Sequence, residues 1–454
     1  MMAPSQSLRP DGRLVRIATL LWLLLGLFGF RVGAQSAQKY WPVKFLPAYA
    51  AWQSGTLPYG LLLAIQAVML VAMTSITVRL TTGRMMPKRK TGEVLLALGS
   101  FYFAFMLFRF GASLSFAKQQ AFLGATIPAV FHLVLSGWLL TLGLYHRLGW
   151  PALGAAQAPE KMRPVVVQWL TYPTVMAFCL WLHLYLLYEG AGLQLSTYLP
   201  LAAAAGAIAL LERRFPYREE WQPQREDIKN DVTFMVLVQI LLPKILAFLV
   251  AIKALGWLQA RGIALDGFWP HQLPALVQAG LMILVVDFMR YWLHRASHEW
   301  SPTLWRLHAV HHSPHKLYWV NVARFHPIEK SFQFLLDAAP FMLLGVSEEV
   351  LALYFICYST NGFFQHSNVE LRLGWMNYLV AGPELHRWHH SWEARESNRN
   401  YGNNIILWDL LFGSYFLPGN REVGALGLRN RDYPHDFLRQ MRTPFIKGSD
   451  QAGG

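Results

Sequence analysis

Long apolar stretches separated by short polar segments dominate the first two thirds of the chain. A helix needs roughly 20 apolar residues to cross about 30 Å of hydrocarbon, and eight stretches reach or approach that length. The predicted membrane spans are residues 14–33, 57–78, 93–115, 122–144, 164–187, 195–211, 232–251 and 274–293. The pattern therefore predicts an all-α integral membrane protein, built as a multi-span helical bundle.

Two shorter apolar stretches follow, residues 331–346 and 349–365, separated by Ser-Glu-Glu. Each is too short for a separate crossing, so together they predict a hairpin that dips into the bilayer. The composition agrees with a membrane protein, because 54% of the residues are hydrophobic and only 15% are charged. Soluble domains carry about a quarter of charged residues.

The net charge of +14 raises the alternative of nucleic-acid binding, but the basic residues flank the apolar spans. With the N-terminus in the cytoplasm, most of them fall in inside segments, which satisfies the positive-inside rule. The inside residues are Arg9, Arg13, Arg16, Arg79, Arg84, Lys88, Arg89, Lys90, Arg213, Arg214, Arg218, Arg225 and Lys229, and the outside ones are Lys39, Lys44, Lys253 and Arg261. We interpret the charge as topology and contact with membrane lipids, with no nucleic-acid partner, in a bacterial inner membrane or the endoplasmic reticulum.

The first span resembles a signal peptide, with an apolar core LLWLLLGLFGF and a small-residue stretch VGAQSA. We expect it to remain as an uncleaved anchor, because its apolar stretch is close to spanning length and seven more spans follow. Cys179 and Cys357 are the two cysteines and lie in apolar stretches. They imply no disulfide framework.

The organisation changes near residue 212, where the charged, proline-containing segment LERRFPYREEWQPQREDIKND interrupts the spans. Such a segment is typical of a domain boundary. The predicted domains are an N-terminal multi-span membrane region at residues 1–211, a catalytic domain at 212–420 and a polar C-terminal tail at 421–454.

Eleven of the sixteen histidines lie between residues 294 and 390. Two histidines four apart on a helix lie about 40° apart in azimuth and about 6 Å apart in height, so both imidazoles can reach one ion. The motifs are HRASH with His294 and His298, HAVHH with His308, His311 and His312, and HRWHH with His386, His389 and His390; His326 and His366 lie between them. Three such motifs predict a metal site. The isolated His132, His146, His183, His271 and His435 are expected to lie outside it.

The number of histidines predicts two metal ions, because one zinc takes three or four protein ligands and the motifs alone offer eight. The eighth span ends inside just before His294, and the predicted hairpin returns the chain to that face at His366. Imidazole suits iron, copper, zinc and nickel, so purified protein can carry zinc. Attack on a lipid carbon with dioxygen needs a redox metal, which zinc is not. Two iron ions are therefore predicted.

The motifs DFMRYWLHRASHEW, LHAVHHSP, HRWHH and NYGNNIILWDLLFGSYF resemble the integral-membrane fatty acid hydroxylase and sterol desaturase superfamily over residues 210–420. The resemblance implies membrane helices capped by a cytosolic histidine-rich helical lid that holds a non-haem di-iron centre. It implies metal ligands at His294, His298, His308, His311, His312, His386, His389 and His390, with His366 as a ninth.

Within that superfamily, the form HRASHE is similar to the alkylglycerol monooxygenase subfamily. This similarity implies an ether-lipid substrate and a tetrahydropterin reductant. The stretch ARFHPIE departs from that subfamily's pattern.

Three further residues are candidate catalytic or supporting groups. Asp287 lies seven residues before His294 on nearly the same helix face, so we expect it to accept a hydrogen bond from a ligand imidazole. The alternative for Asp287 is a contact with Arg290 or neighbouring backbone. Glu299 is either a supporting carboxylate or an exposed charge at the helix end. His326, directly before a proline, is a candidate further ligand.

The function predicted is a membrane-bound, dioxygen-dependent oxidoreductase that hydroxylates or desaturates a C–H bond of a fatty acyl, sterol or ether lipid. The electron donor is expected to be external, because no haem-attachment motif, dinucleotide-binding glycine motif or ferredoxin cysteine set is present. A cytochrome, a ferredoxin or a reduced pterin at the cytoplasmic face would serve. The alternatives are a membrane metal-binding or transport protein and a catalytically silent sensor that retains the histidines.

Overall fold

The computed structural model describes residues 12–149, 162–263, 265–419 and 421–449; Arg9, one of the predicted inside cations, lies outside them. These residues contain no β-strand, only three isolated β-bridges. The helices are α1 Gly12–Tyr40, α2 Tyr59–Thr81, α3 Arg89–Leu114, α4 Thr126–Leu148, α5 Met162–Tyr188, α6 Leu193–Arg214, α7 Arg225–Phe234, α8 Leu242–Leu249, α9 Gly256–Ala260, α10 Ala275–Glu299, α11 Pro302–His312, α12 Pro327–Asp337, α13 Ala339–Leu343, α14 Glu348–His366, α15 Pro383–His389, α16 Ala394–Ser397, α17 Leu407–Leu411 and α18 Phe437–Arg442.

Eight helical segments of the described residues are long and apolar enough to cross a membrane, by length and composition. They are Arg13–Tyr40, Tyr59–Thr81, Arg89–Leu114, Thr126–Leu148, Pro164–Tyr188, Leu193–Arg214, Arg225–Leu249 and Ala275–Glu299. Each predicted span overlaps one of these segments, so the prediction of an all-α integral membrane protein is confirmed. The orientation of the spans remains a prediction.

The chain divides into two compact units, residues 1–190 and 191–454. In the first unit α3 packs against α4 and α5, and α1 packs against α2 and α4. Glycine allows α3 and α4 to approach closely, because a Cβ at Gly92 would lie 2.8 Å from the backbone nitrogen of Arg147. A Cβ at Gly143 would lie 3.0 Å from the backbone nitrogen of Leu96. Two glycines therefore set the spacing of this helix pair.

In the second unit α10 and α14 pack against each other, and α14 also packs against α6 and α15. The seventh span is irregular, since π-helical turns at Met235–Leu241 and Val250–Leu255 flank α8. The two apolar stretches predicted to form a hairpin are helical, as α12, α13 and α14. The Ser347 hydroxyl accepts a hydrogen bond of 3.4 Å from the backbone of Val350 and starts α14.

Residues 191–211, just before the predicted catalytic domain, and the tail after it both belong to the second unit. Helix α6 belongs to this unit, and the Glu212 carboxylate near its end accepts backbone hydrogen bonds from Trp319 at 2.8 Å and Asn368 at 2.9 Å. After residue 421, the backbone of Gly427 donates to the carbonyl of His390 at 3.0 Å. The functional boundaries drawn at residues 211 and 420 stay a prediction. In packing, residues 191–211 and residues 421–449 belong to the same compact unit as the histidines.

Candidate metal centre

The nine histidines of the predicted ligand set come from four helices of the second unit. Helix α11 begins at Pro302, and the Ser301 hydroxyl accepts a hydrogen bond from the backbone of Leu304 at 3.3 Å. Proline at the first helical position and serine before it are typical of a helix start. The side chains are His294 and His298 of α10, His308, His311 and His312 of α11, His366 at the end of α14, and His386, His389 and His390 at α15.

The structure brings all nine together, in two groups. Group A contains His294, His298, His308, His312 and His389, and group B contains His311, His366, His386 and His390. Within each group the candidate ligand atoms lie within 4.8 Å of one another. The HAVHH and HRWHH motifs are therefore split, because each places one i, i+4 pair in one group and its third histidine in the other.

The spacing of the imidazole nitrogens suits metal ions. In group A the Nε2 atoms of His294 and His308 are 3.0 Å apart, as are those of His312 and His389. In group B, His386 Nε2 lies 3.1 Å from the Nε2 atoms of both His366 and His390. Two nitrogens at a right angle on one ion, each about 2.1 Å from it, lie about 3.0 Å apart. Each group can hold an ion.

In group A the opposite ring nitrogen of most imidazoles is held by a fixed acceptor. The Nδ1 atoms of His294 and His389 donate to the carbonyls of Tyr401 and Arg399, both at 2.9 Å. His308 Nδ1 donates to the Glu329 carboxyl at 2.7 Å, and His298 Nδ1 lies 3.2 Å from Asn398 Oδ1. Such contacts leave Nε2 as the unprotonated, metal-binding nitrogen.

Group B is held by fewer acceptors. His311 Nδ1 donates to the carbonyl of Arg324 at 3.2 Å, and His366 Nδ1 donates to Asn321 Oδ1 at 2.7 Å. Among the described residues, His390 Nδ1 is buried without a hydrogen-bond partner. Packing alone orients that imidazole on its Nδ1 side.

Burial keeps the imidazoles in the neutral form that binds metal. It lowers the pKa of His308, His311, His312, His386 and His390 well below the usual value, and neighbouring imidazoles lower it further. Burial lowers the pKa of His389 to about 4. Burial also raises the pKa of Glu329 to about 8. At neutral pH these shifts favour a hydrogen bond between a neutral imidazole and a protonated carboxyl for His308 and Glu329, although their atoms are within ion-pair distance.

Asp287 accepts no hydrogen bond from an imidazole of the described residues, so the expectation that it would orient one is wrong. Its carboxylate accepts three hydrogen bonds, from the backbone of Asn404 at 2.7 Å, the side chain of Asn404 at 2.8 Å and the backbone of Ile405 at 2.6 Å. Arg290 pairs instead with Asp337 at 2.7 Å. The alternative of a backbone contact is correct for Asp287, which fastens the loop after Tyr401 to α10.

Glu299 and His326 also lie apart from the candidate ligand atoms. Glu299 accepts from the Tyr401 hydroxyl at 2.8 Å and pairs with Arg295 at 3.1 Å. Tyr401 in turn packs its ring on His294, so Glu299 is connected to group A through that side chain. His326 precedes α12, where its Nδ1 accepts from the backbone of Ile328 at 3.2 Å and its Nε2 donates to the carbonyl of Met441 at 3.3 Å. Both of its nitrogens have partners outside the two groups.

Sequence reasoning missed the side chains that support the imidazoles: Glu329, Asn321 and Asn398. Glu329 lies three residues after His326 in the motif that drew attention to the histidine. A signal for it existed, because Glu329, Gln333 and Asp337 recur every four residues of α12 and all are buried. Buried polar side chains on one helix face usually have partners on a neighbouring element. Asn321 and Asn398 lie in irregular segments that carry no such pattern.

A cavity of about 360 Å³ opens onto both groups. Its apolar part includes Leu201 and Ala205 of α6 and Phe355 of α14, and its lining also includes His294 of group A and His366 of group B. The other helices that line it are the seventh span, α10, α11, α12 and α15. An apolar molecule entering between these helices would meet the imidazoles directly.

The comparisons with known proteins concern this same region. The fatty acid hydroxylase family model matches residues 279–414. The chain is similar to the ornithine lipid hydroxylase OlsE of Rhizobium tropici, with 34% identity over 244 residues, which are 53% of this chain and 72% of that protein. It is 30% identical over 146 residues to the alkylglycerol monooxygenase of Danio rerio, covering 32% of each chain. It is 30% identical over 161 residues to the sterol desaturase erg3B of Aspergillus fumigatus, covering 34% of this chain and 43% of that protein.

No solved structure matches the chain. The matched stretch spans about a third of the alkylglycerol monooxygenase, but nearly three quarters of the ornithine lipid hydroxylase. The relatives are lipid hydroxylases, monooxygenases and desaturases, which are oxidoreductases. The similarity and the gathered histidines lead to one conclusion: the chain belongs to the fatty acid hydroxylase family.

Proposed function

We propose that the protein is a di-iron enzyme that uses dioxygen to hydroxylate a C–H bond of a membrane lipid. The observation that carries the proposal is the pair of compact imidazole groups that line an apolar cavity among membrane helices. An ion path across the membrane would need ligands spread along the spans. Nine imidazoles gathered into two compact groups favour catalysis over transport.

The donor set fits iron. Imidazole binds several divalent metals, and the order of their affinities does not select iron over zinc. The chemistry of the relatives favours iron over zinc, because hydroxylation and desaturation are oxidations and zinc has no redox chemistry. When bound, an iron pair would supply the electron-transfer chemistry that the activation of dioxygen requires.

The protein's own residues bind, orient and exclude water. Apolar side chains such as Leu201 and Phe355 would hold the lipid chain, and together with that chain they would keep bulk water from the reacting carbon. The fixed acceptors behind His294, His308 and His389 would hold each ring with Nε2 toward an ion. The balanced reaction converts a C–H bond, dioxygen, two electrons and two protons into C–OH and water.

Substrate and location follow from the same reasoning. The substrate is a lipid, and the ornithine lipid relative makes a polar bacterial lipid the first one to test. We place the histidine groups at the cytoplasmic face, as the distribution of basic residues predicts. The reductant is supplied from that side by another molecule.

Lipid profiling combined with metal analysis tests the proposal. Cells that express the wild-type chain should accumulate a lipid that has gained one oxygen atom, and the purified protein should contain two equivalents of iron. His389→Ala should abolish the new lipid, whereas His271→Ala, a change at an exposed histidine outside both groups, should not. Iron-loaded wild-type protein that consumes no oxygen with any bacterial lipid extract and any reductant would contradict the proposal.

A further inference from the structure

One part of the wall of the cavity of about 360 Å³ is polar but contains no histidine. It is formed by Tyr358 and Ser359 of α14 and by Gln333 of α12. The positions of α14 that line the cavity include 355, 358, 359, 362, 363 and 366, and this spacing is that of one helix face. Ser359 lies seven residues before His366, which is about 10 Å along the helix axis at nearly the same azimuth. The polar wall and group B therefore share one face of α14.

A buried lysine lies behind this polar wall. Lys330 of α12 is 5% exposed, and its ammonium donates to the Tyr358 hydroxyl at 3.1 Å and to Gln333 Oε1 at 3.4 Å. A buried ammonium is costly unless an anion is paired with it. An anion placed in the adjoining cavity would lower that cost.

The two acidic side chains of α12 have other partners. Glu329 Oε1 lies 2.7 Å from His308 Nδ1 and accepts from Gln333 at 3.1 Å. The Asp337 carboxylate pairs with Arg290 at 2.7 Å. No carboxylate of the described residues lies within ion-pair distance of the Lys330 ammonium.

The two hydroxyls of the wall are available as hydrogen-bond donors. The Tyr358 oxygen accepts from Lys330, and no described residue accepts the proton of that hydroxyl. The Ser359 hydroxyl also has no partner among the residues that the structure describes, although the residue lines the cavity. A hydroxyl whose oxygen accepts from an ammonium is a stronger donor, because linked hydrogen bonds polarise one another. Such donors bind a charged oxygen more strongly than a neutral one.

We propose that Tyr358 and Ser359, supported by Lys330, bind the carboxylate of the lipid substrate. The inference rests on the proposed function and names the substrate class, which is a lipid that carries a free carboxylate. Guanidinium groups match phosphate best, but the guanidinium of Arg290 in this wall is already paired with Asp337. Two hydroxyls with one ammonium behind them suit the single charge of a carboxylate. A carboxylate held there fixes the lipid at a set distance from the imidazoles, and that distance selects the carbon that is attacked.

The test measures binding of parinarate, a fluorescent fatty acid, and of its methyl ester to the full-length, metal-free protein in a neutral detergent. The wild type should bind the acid at least about tenfold more tightly than the ester, because hydrogen bonds to a charged acceptor are the stronger ones. Tyr358→Phe should weaken binding of the acid about tenfold and of the ester at most about threefold. Ser359→Ala should weaken binding of the acid about threefold. Lys330→Met should resemble Tyr358→Phe, whereas Lys330→Arg keeps the charge and should recover most of the loss.

Two neighbours of the wall provide matched controls. Tyr354 stacks on Tyr358 with ring centroids 5.9 Å apart, and its hydroxyl is buried without a hydrogen-bond partner among the described residues, but it does not line the cavity. The same holds for the hydroxyl of Thr360, next to Ser359. Tyr354→Phe and Thr360→Val should therefore bind the acid within about twofold of wild type. The unfolding temperatures of both controls and of Tyr358→Phe should match that of the wild type.

Equal binding of the acid and the ester by the wild type, or no binding of either, would overturn the proposal. So would an equal loss in Tyr354→Phe, or stronger competition by hexadecyl phosphate than by palmitate, which would make the bound group a phosphate. If Lys330→Met does not fold, Lys330→Arg and Tyr358→Phe still decide the outcome. Binding is measured without metal, so a protein that binds the acid as expected but oxidises no lipid would contradict the proposed function and leave the carboxylate site standing.

Discussion

The two histidine groups share helices α11 and α15 but are supported unequally; α10 contributes only to group A and α14 only to group B. In group A, four of the five imidazoles have an identified acceptor behind them, and one of these acceptors is the carboxyl of Glu329. In group B two of the four have one, and His390 Nδ1 is buried without a partner among the described residues. A site with fewer ligands and fewer supports depends more on the ion itself for its geometry. We infer that group B would hold an ion more weakly than group A.

Removal of one imidazole from either group should have the largest effect on activity, and the two removals should differ most clearly in the amount of metal lost. His386→Ala leaves group B with three histidines, and His389→Ala leaves group A with four. Both variants should lose more than the roughly 10- to 100-fold in activity that loss of a supporting group costs. Elemental analysis should find about one equivalent of metal in His386→Ala and a value closer to two in His389→Ala. Equal metal loss in the two variants would remove the proposed difference between the groups.

Removal of a side chain that supports an imidazole should also weaken metal binding, in the same order for the two groups but less strongly. Glu329→Ala removes the acceptor behind His308 in group A, and Asn321→Ala removes the one behind His366 in group B. Each should weaken metal binding by roughly 10- to 100-fold in competition with a chelator. Because the contact of Glu329 is with a neutral imidazole, Glu329→Gln keeps an acceptor oxygen and should recover most of the affinity. If Glu329→Gln bound metal as weakly as Glu329→Ala, the negative charge of the carboxylate, and not its acceptor oxygen, would be what supports metal binding.

Acid should destabilise both groups in the metal-free protein. The unfolded chain protonates histidine at a pKa of about 6.5, whereas burial lowers the pKa of His390 well below that value in the folded protein. The folded state then binds fewer protons, so stability is complete above about pH 6.5 and is lost as the pH falls toward the folded pKa. At pH 5.5 each such histidine lowers the free energy of unfolding by about 1.4 kcal/mol.

Unfolding in mixed micelles at pH 7.5 and 5.5 measures this loss. His390→Phe should reduce the difference between the two pH values by about 1.4 kcal/mol, and His312→Phe should do the same for group A. The control is His271→Phe, which should leave the difference unchanged. A larger reduction for one group than the other would show that their imidazoles are not equally neutral.

The spans and the histidine set could be predicted from sequence because both are periodic signals. Apolar runs of spanning length have one stable solution in a bilayer, the helix, and each predicted run overlaps one. Histidines at i, i+4 share a helix face, and the pairs His294 with His298 and His386 with His390 each lie in one group.

The division of the motifs between two groups could not be predicted. Helix periodicity relates residues of one helix, but the placement of His389 beside α10 depends on how α15 packs against other elements. The prediction for Asp287 was wrong for the same reason. Its hydrogen-bond partners, Asn404 and Ile405, are 117 and 118 residues away in a loop without a sequence pattern. A buried carboxylate indicates that a partner exists, not which one it is.

His326 belongs to neither group in the structure, so it provides the smallest and most specific test of where the site ends. Its ring caps α12 by accepting from the backbone of Ile328. His326→Ala should lower the free energy of unfolding by about 1 kcal/mol, as loss of a helix cap does, while the protein keeps two equivalents of metal. Metal loss in this variant, with Glu329 three residues away still in place, would show that the two groups do not account for all the ligands. Retained metal with reduced stability would restrict the ligands to the nine gathered imidazoles and leave His326 the structural role that its two hydrogen bonds describe.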